Sequence, residues 1–109
     1  SDFFGGKIMY EKVSFERAKA IMDAGPHVLL DVRDEEEYIT GHAAGAVLLP
    51  LGELDDVRAA EVIPGLTTPV LVYCRSGRRS FQAAQLLEEY GYEHIYDIGG
   101  LVGWPYGME

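Results

Sequence analysis

The sequence predicts an α/β sandwich: a mostly parallel sheet of about five strands with helices on both faces. Three observations predict it. Short β-rich runs alternate with helical ones along the chain, which calls for parallel pairing through crossovers. Two of those runs, "HVLLDV" at 27–32 and "PVLVYC" at 69–74, are apolar with little interruption, as strands covered on both faces are. The 109 residues contain no internal repeat, low-complexity segment or linker, which suits one core. The expected division is an N-terminal extension over 1–8 and one domain over 9–109.

Each element has a local reason. "MYEKV" (9–13) is a weak first strand. Ser14 is placed to cap "FERAKAIMDA", where Phe15, Ala18, Ile21 and Met22 recur at helical spacing, and Gly25 stops it as a C′ residue. After "HVLLDV", Asp34 can cap the short acidic helix "EEEYIT", which Gly41 ends. "GAVLLP" (45–50) reads as a short strand stopped by Pro50. "LGELDDVRAAEVI" (51–63) reads as one helix closed by Pro64 and Gly65. "PVLVYC" is the clearest buried strand. Beyond its loop, "SFQAAQLLEEY" (80–90) is amphipathic, with Ala83, Ala84, Leu87 and Tyr90 on one face and Gly91 at C′. "HIYDI" (94–98) is the last strand, followed by two glycines.

Composition narrows the function. Hydrophobic content of 48% and charged content of 25% are ordinary for a globular chain. No apolar run approaches the ~20 residues that cross a bilayer, so no membrane partner is expected. A net charge of −9 argues against nucleic acid, which needs a basic face. The opening "SDFFGGKIMY" lacks a basic leader followed by an apolar stretch, so a cytoplasmic location is expected; the missing initiator methionine leaves open an exported form whose signal was removed. The single cysteine forms no internal disulfide. A lone thiol fits a reducing compartment, either as a buried structural residue or as a catalytic one.

Its neighbours favour catalysis. In "VYCRSGRRSF" (72–81), three arginines follow Cys74 within five residues, although the protein is acidic. Cys74 ends the most buried strand, where ligands sit in open α/β sheets. The following helix starts between Gly77 and Ser80, with free N–H groups and a partial positive charge at its end. Arg78 and Arg79 at that end are locally unfavourable, and a bound anion resolves the conflict. The same field lowers a thiol pKa, and the thiolate is the reactive species. Gly77 lets the loop turn tightly. Cys74 is therefore the candidate nucleophile, with Arg75, Ser76, Gly77, Arg78 and Arg79 around the anion. Ser80 either bonds the sulfur or caps the helix.

"CRSGRRS" resembles the active-site loop of the rhodanese sulfurtransferases, Cys-x-x-Gly-x-Arg, matched by Cys74, Gly77 and Arg79. "LLDVRDEEEYITGHAAGAVLLP" (29–50) is similar to the family's upstream Asp-Val-Arg, Glu-Tyr, Gly-His and Gly-Ala motif. "DIGGLVGW" (97–104) is similar to its closing Gly-Gly-x-x-x-Trp. The resemblance implies the rhodanese-like three-layer sandwich in single-domain form, with no cofactor. It implies that Cys74 takes the sulfane sulfur of thiosulfate as a persulfide and passes it to a thiophile: cyanide in assays, thiols such as glutathione, thioredoxin or dihydrolipoate in cells. Arg79 occupies the family's arginine position. Arg78 departs from the small polar residue common there, and either strengthens dianion binding or faces solvent.

Other residues have structural readings. Asp31 and Arg33 either reach the loop as supporting residues or pair to brace the fold. His42 reads as a turn residue, Trp104 as a core or pocket-wall aromatic, and the acidic run 34–37 as a solvated first turn. The histidines show no metal spacing with Cys74. A phosphatase or arsenate reductase of this fold carries the longer Cys-x5-Arg loop, whereas Cys74 and Arg79 enclose four residues. A persulfide carrier or regulatory module serving a protein partner is the other alternative.

Overall fold

The computed structural model describes residues 10–109. The extension expected at 1–8 lies outside the described residues. In chain order the strands are β1 (Tyr10–Lys12), β2 (Val28–Asp31), β3 (Val47–Leu48), β4 (Val70–Cys74) and β5 (Ile95–Gly100). The helices are α1 (Phe15–Ala24), α2 (Glu35–Thr40), α3 (Asp56–Val62) and α4 (Arg78–Glu89). The sheet runs β1-β5-β4-β2-β3 and every pairing is parallel. The five-stranded α/β architecture expected from the alternation is the one observed.

Every residue of β2 and β4 is buried. Successive side chains on a strand point to opposite faces, so these two strands feed two cores. Val28 and Leu30 of β2, with Val70, Val72 and Cys74 of β4, pack against Ala83, Ala84 and Leu87 of α4 and Ala59 of α3. Leu29, Leu71 and Tyr73 pack on the other face with Ala18 of α1, Ala43, Ala46 and Trp104. Strand parity thus sends Cys74 to the α4 side of the sheet. The chain leaves β2 outward to β3 and leaves β4 the other way to β5, so the strand order reverses between β2 and β4, where such sheets bind ligands.

Three local readings are refined. The helix expected over 51–63 is broken into a 3-10 turn, Leu51–Glu53, and α3. Leu54 lies between them in extended backbone with 8% exposure, so burying it in the α4-side core interrupts the helix. Asp55 then restarts it as N-cap, accepting from Arg58 N–H at 2.7 Å. Gly25 ends α1 in extended backbone (φ 164°) and not in a left-handed turn. The last strand continues through Gly99 and Gly100, past a register shift: Val72 pairs with Asp97 but Tyr73 with Gly99. Asp97, buried, accepts from Gly99 N–H at 2.9 Å and holds this bulge. Other caps follow the sequence: Ser14 accepts from Arg17 N–H at 3.0 Å, and Asp34 and Glu37 form a capping box on α2.

One buried polar network ties the second face together. Asp31, 0% exposed, accepts from the Arg33 side chain at 2.7–3.1 Å, from Arg33 N–H at 2.9 Å and from the Tyr73 hydroxyl at 2.5 Å. Tyr73 in turn accepts from Ala43 N–H at 3.1 Å, and Arg33 donates to the Gly41 carbonyl at 2.7 Å. Burial, then the bond to Asp31, pushes the Tyr73 pKa up, so the phenol stays a donor. The network fixes the segment that follows α2 against the sheet.

Tyr73→Phe is expected to orphan the Ala43 N–H and to remove one of the three donors to Asp31 Oδ2. It should cost about 1–3 kcal/mol in denaturant unfolding, the usual penalty for orphaning buried polar groups. A loss near zero would mean the network carries no stability.

Candidate active site

Cys74 is a free cysteine and 0% exposed. It is buried as a structural cysteine would be, within the apolar cluster under α4. What separates it from one is the direction of the loop's backbone. Gly77 N–H donates to Sγ at 3.0 Å and Ser80 N–H at 3.3 Å. The Ser80 side chain is also buried; its hydroxyl can turn to the Gly77 carbonyl at 3.2 Å or to the sulfur. Burial alone pushes the thiol pKa up. The donors from Ser80, Gly77 and Ser76 outweigh that push, and the pKa lies below its ordinary value.

The loop has this shape for local reasons. Gly77 is the N-cap of α4 at φ 102°, a left-handed conformation that side chains with a Cβ resist. That turn aims the N–H groups that start α4 back at the end of β4. Gly100 answers a second demand. A Cβ there would meet the Arg75 carbonyl oxygen at 2.7 Å and the Ser76 Cα at 3.3 Å, so only glycine lets β5 run this close beneath the loop. Leu101 N–H closes the contact by donating to the Cys74 carbonyl at 3.1 Å. The second glycine of the closing motif therefore serves the loop after Cys74.

The sequence-predicted residues divide into two groups. Cys74 and the 75–80 segment come together as one turn, with the side chains of Arg75, Ser76 and Arg78 exposed. Asp31 and Arg33 bond to each other, to Tyr73 and to Gly41, with no bond to the loop; they brace the fold. Arg79, expected in the anion cradle, spends both terminal nitrogens on Glu37, at 2.7 and 3.0 Å. The cause of this pairing is charge. An arginine in the first turn of a helix opposes the helix dipole, and Glu37 of α2 supplies the missing acid across the β2–β4 crevice. The Arg79 bond, with help from Asp34 N–H, holds the Glu37 pKa down to about 2. His42 stacks on Tyr38 and bonds its carbonyl, as a turn residue would. Trp104 packs edge-on against Phe15 and Tyr106. Among the described residues no cluster of His, Cys, Asp and Glu could hold a metal.

Glu37 is the residue that sequence reasoning missed. It lies in the acidic run that reads as a solvated helix start. The Asp34-x-x-Glu37 spacing does signal a capping box. Nothing local shows that the same carboxylate also binds an arginine 42 positions on.

Comparison with known proteins gives a consistent answer. Residues 14–105 match the family described as the rhodanese-like domain. The chain is similar to thiosulfate sulfurtransferase PspE of Escherichia coli, 43% identical over 72 residues, which are 66% of this chain and 68% of that protein. Among solved structures it is similar to a rhodanese with anions from E. coli, with TM-score 0.71, 37% identity, and coverage of 76% of this chain and 96% of that one. It is also similar to the Alr3790 protein of Anabaena sp., with TM-score 0.78, 29% identity, and coverage of 89% and 90%.

Two outcomes test the site's construction. Gly100→Ala is expected to push the loop off Cys74, raising the thiol's apparent pKa and lowering stability by about 1–3 kcal/mol, as overpacking does; an unchanged thiol titration would show that the close approach is incidental. Glu37→Gln should cost about 1 kcal/mol at pH 7, the scale of a screened ion pair. Because the folded pKa is depressed, that stability is present above the unfolded carboxylate pKa of 4.5 and fades as pH falls toward about 2. Unfolding curves of wild type and Glu37→Gln should therefore converge in acid.

Proposed function

The chain belongs to the rhodanese-like domain family and is a sulfurtransferase with one such domain, and on that premise we propose that it moves the sulfane sulfur of thiosulfate to a thiol through a persulfide on Cys74. The observation that carries the reading is the pair of backbone N–H groups, from Gly77 and Ser80, aimed at the Cys74 sulfur.

The chemistry balances without a cofactor. The Cys74 thiolate attacks the outer sulfur of thiosulfate. A sulfur–sulfur bond forms to the enzyme, the donor's own sulfur–sulfur bond breaks, and sulfite leaves with that electron pair. An acceptor thiolate then attacks the outer sulfur of the persulfide, takes it as its own persulfide, and returns Cys74 as thiolate. Cyanide in the same role yields thiocyanate. Two easier displacements replace one difficult transfer.

The loop suits both anions. Backbone N–H groups stabilise a thiolate or persulfide anion without giving up a proton to it, and they are already oriented before the charge arrives. The same donors favour the thiolate over the thiol, which reduces what a general base would have to supply. Since Cys74 is wholly covered, donor entry requires the structure around the sulfur to open. Glutathione, thioredoxin or dihydrolipoate are suitable acceptors, because each presents a thiol to the persulfide. A reducing compartment such as the cytoplasm would keep Cys74 available between turnovers. Among the described residues no helix is long and apolar enough to cross a membrane.

Intact-mass measurement after incubation with thiosulfate tests the reading. A gain of one sulfur atom is expected, reversed by cyanide and absent in Cys74→Ser; no gain in wild type would overturn it. The lowered thiol pKa also sets the sign of the pH response. Sulfur uptake should fall as pH drops through the Cys74 pKa, and the midpoint should lie below the reference thiol value of 9.0.

A further inference from the structure

Eight of the nine lysines and arginines lie in the described residues. Five of them pair with a carboxylate: Arg17 with Glu11, Lys19 with Asp23, Arg33 with Asp31, Arg58 with Glu53 and Arg79 with Glu37. Among the described residues Lys12, Arg75 and Arg78 make no ion pair. In a chain with 18 acidic residues, acids are plentiful. Yet the cations left without one gather at the same, carboxyl end of the sheet. Arg75 and Arg78 follow Cys74 in sequence. Lys12 arrives from elsewhere, as the last residue of the edge strand β1.

Lys12 reaches the loop through the first glycine of the closing motif. Gly99 has φ +85°, and a Cβ added there would collide with the Lys12 ammonium and sit 3.2 Å from its Cε. The glycine keeps open the space that the lysine occupies. Gly99 Cα also lies 3.7 Å from where a Gly77 Cβ would be, and Gly77 N–H is a donor to Cys74. Gly99 therefore neighbours both the Lys12 ammonium and the N-cap of α4. Side-chain parity places Arg78 on the same side. Tyr10 and Lys12 are two apart on β1, Arg78 and Phe81 three apart on α4, and the Tyr10 and Phe81 rings meet edge-on at 6.1 Å. Asp97, Lys12's partner in strand register, has its carboxylate turned to Gly99 N–H and forms no ion pair with the lysine.

We infer that Lys12 is a substrate-binding residue, the third cation of a rim with Arg75 and Arg78 that draws a sulfur dianion to Cys74. The inference rests on the thiosulfate reading and adds to it a residue from outside the loop. With Arg79 committed to Glu37, the loop itself offers two free guanidinium groups, and Lys12 supplies a further charge. In a strongly acidic protein this local field is what lets a dianion approach. It acts over roughly the 8–10 Å that salt leaves unscreened.

The test uses the full chain with Cys74→Ser, which binds without reacting, and thiosulfate as the calorimetric probe. Adding Lys12→Met is expected to weaken binding about three- to tenfold at low salt, to flatten its salt dependence, and to be rescued by Lys12→Arg. In the reactive protein the same substitution should raise KM for thiosulfate and leave kcat in place. Equal binding with and without Lys12→Met, no thiosulfate binding at all, or a fall in kcat at constant KM each overturns the inference. Failure of wild type to gain sulfur, with binding intact, would instead count against the persulfide reading alone.

Discussion

A thiol at the buried end of an apolar strand ionises more readily only where donors surround it, and most of this structure can be understood from that constraint. Desolvation disfavours the thiolate. The turn after β4 counters it with the N–H groups that α4 leaves unpaired, pointed at Sγ by the left-handed Gly77. Because the donors belong to the backbone, they stay in place only while the turn does. The structure consequently invests in the turn's supports: β5 pressed beneath it at Gly100, and Leu101 bonded to the Cys74 carbonyl.

The charges divide the same labour. Two arginines begin α4, where a helix end repels cations. One, Arg79, is neutralised by Glu37 and turned into a tie between α4 and α2 across the point where strand order reverses. The other, Arg78, stays exposed and unpaired beside Arg75. A paired arginine and an unpaired one thus stand next to each other in sequence, and only their partners tell them apart. Asp31 and Arg33 follow the structural pattern more completely, with Tyr73 sealing a network on the face of the sheet away from α4.

The paired glycines of "DIGGLVGW" show how one short motif serves two needs. Gly99 takes a positive φ at the bulge and leaves room for Lys12, while Gly100 gives up its side-chain volume to the loop. Neither duty concerns the strand itself, which a β-branched residue would suit better. Their value lies in what comes near them.

The sequence by itself determined the parallel α/β sheet, the apolar strands β2 and β4, the caps at Ser14 and Asp34, and the turn from Cys74 to Ser80, because each depends on short-range periodicity or on backbone preferences within a few residues. It left undecided what depends on contacts between distant segments. Tertiary packing broke the 51–63 helix so that Leu54 could be buried. Tertiary packing also chose Glu37 for Arg79, kept Asp31 and Arg33 for the frame, and brought Lys12 to the rim. Charge pairing and steric exclusion act through space, and a pattern of residue types carries no record of which distant side chain will arrive.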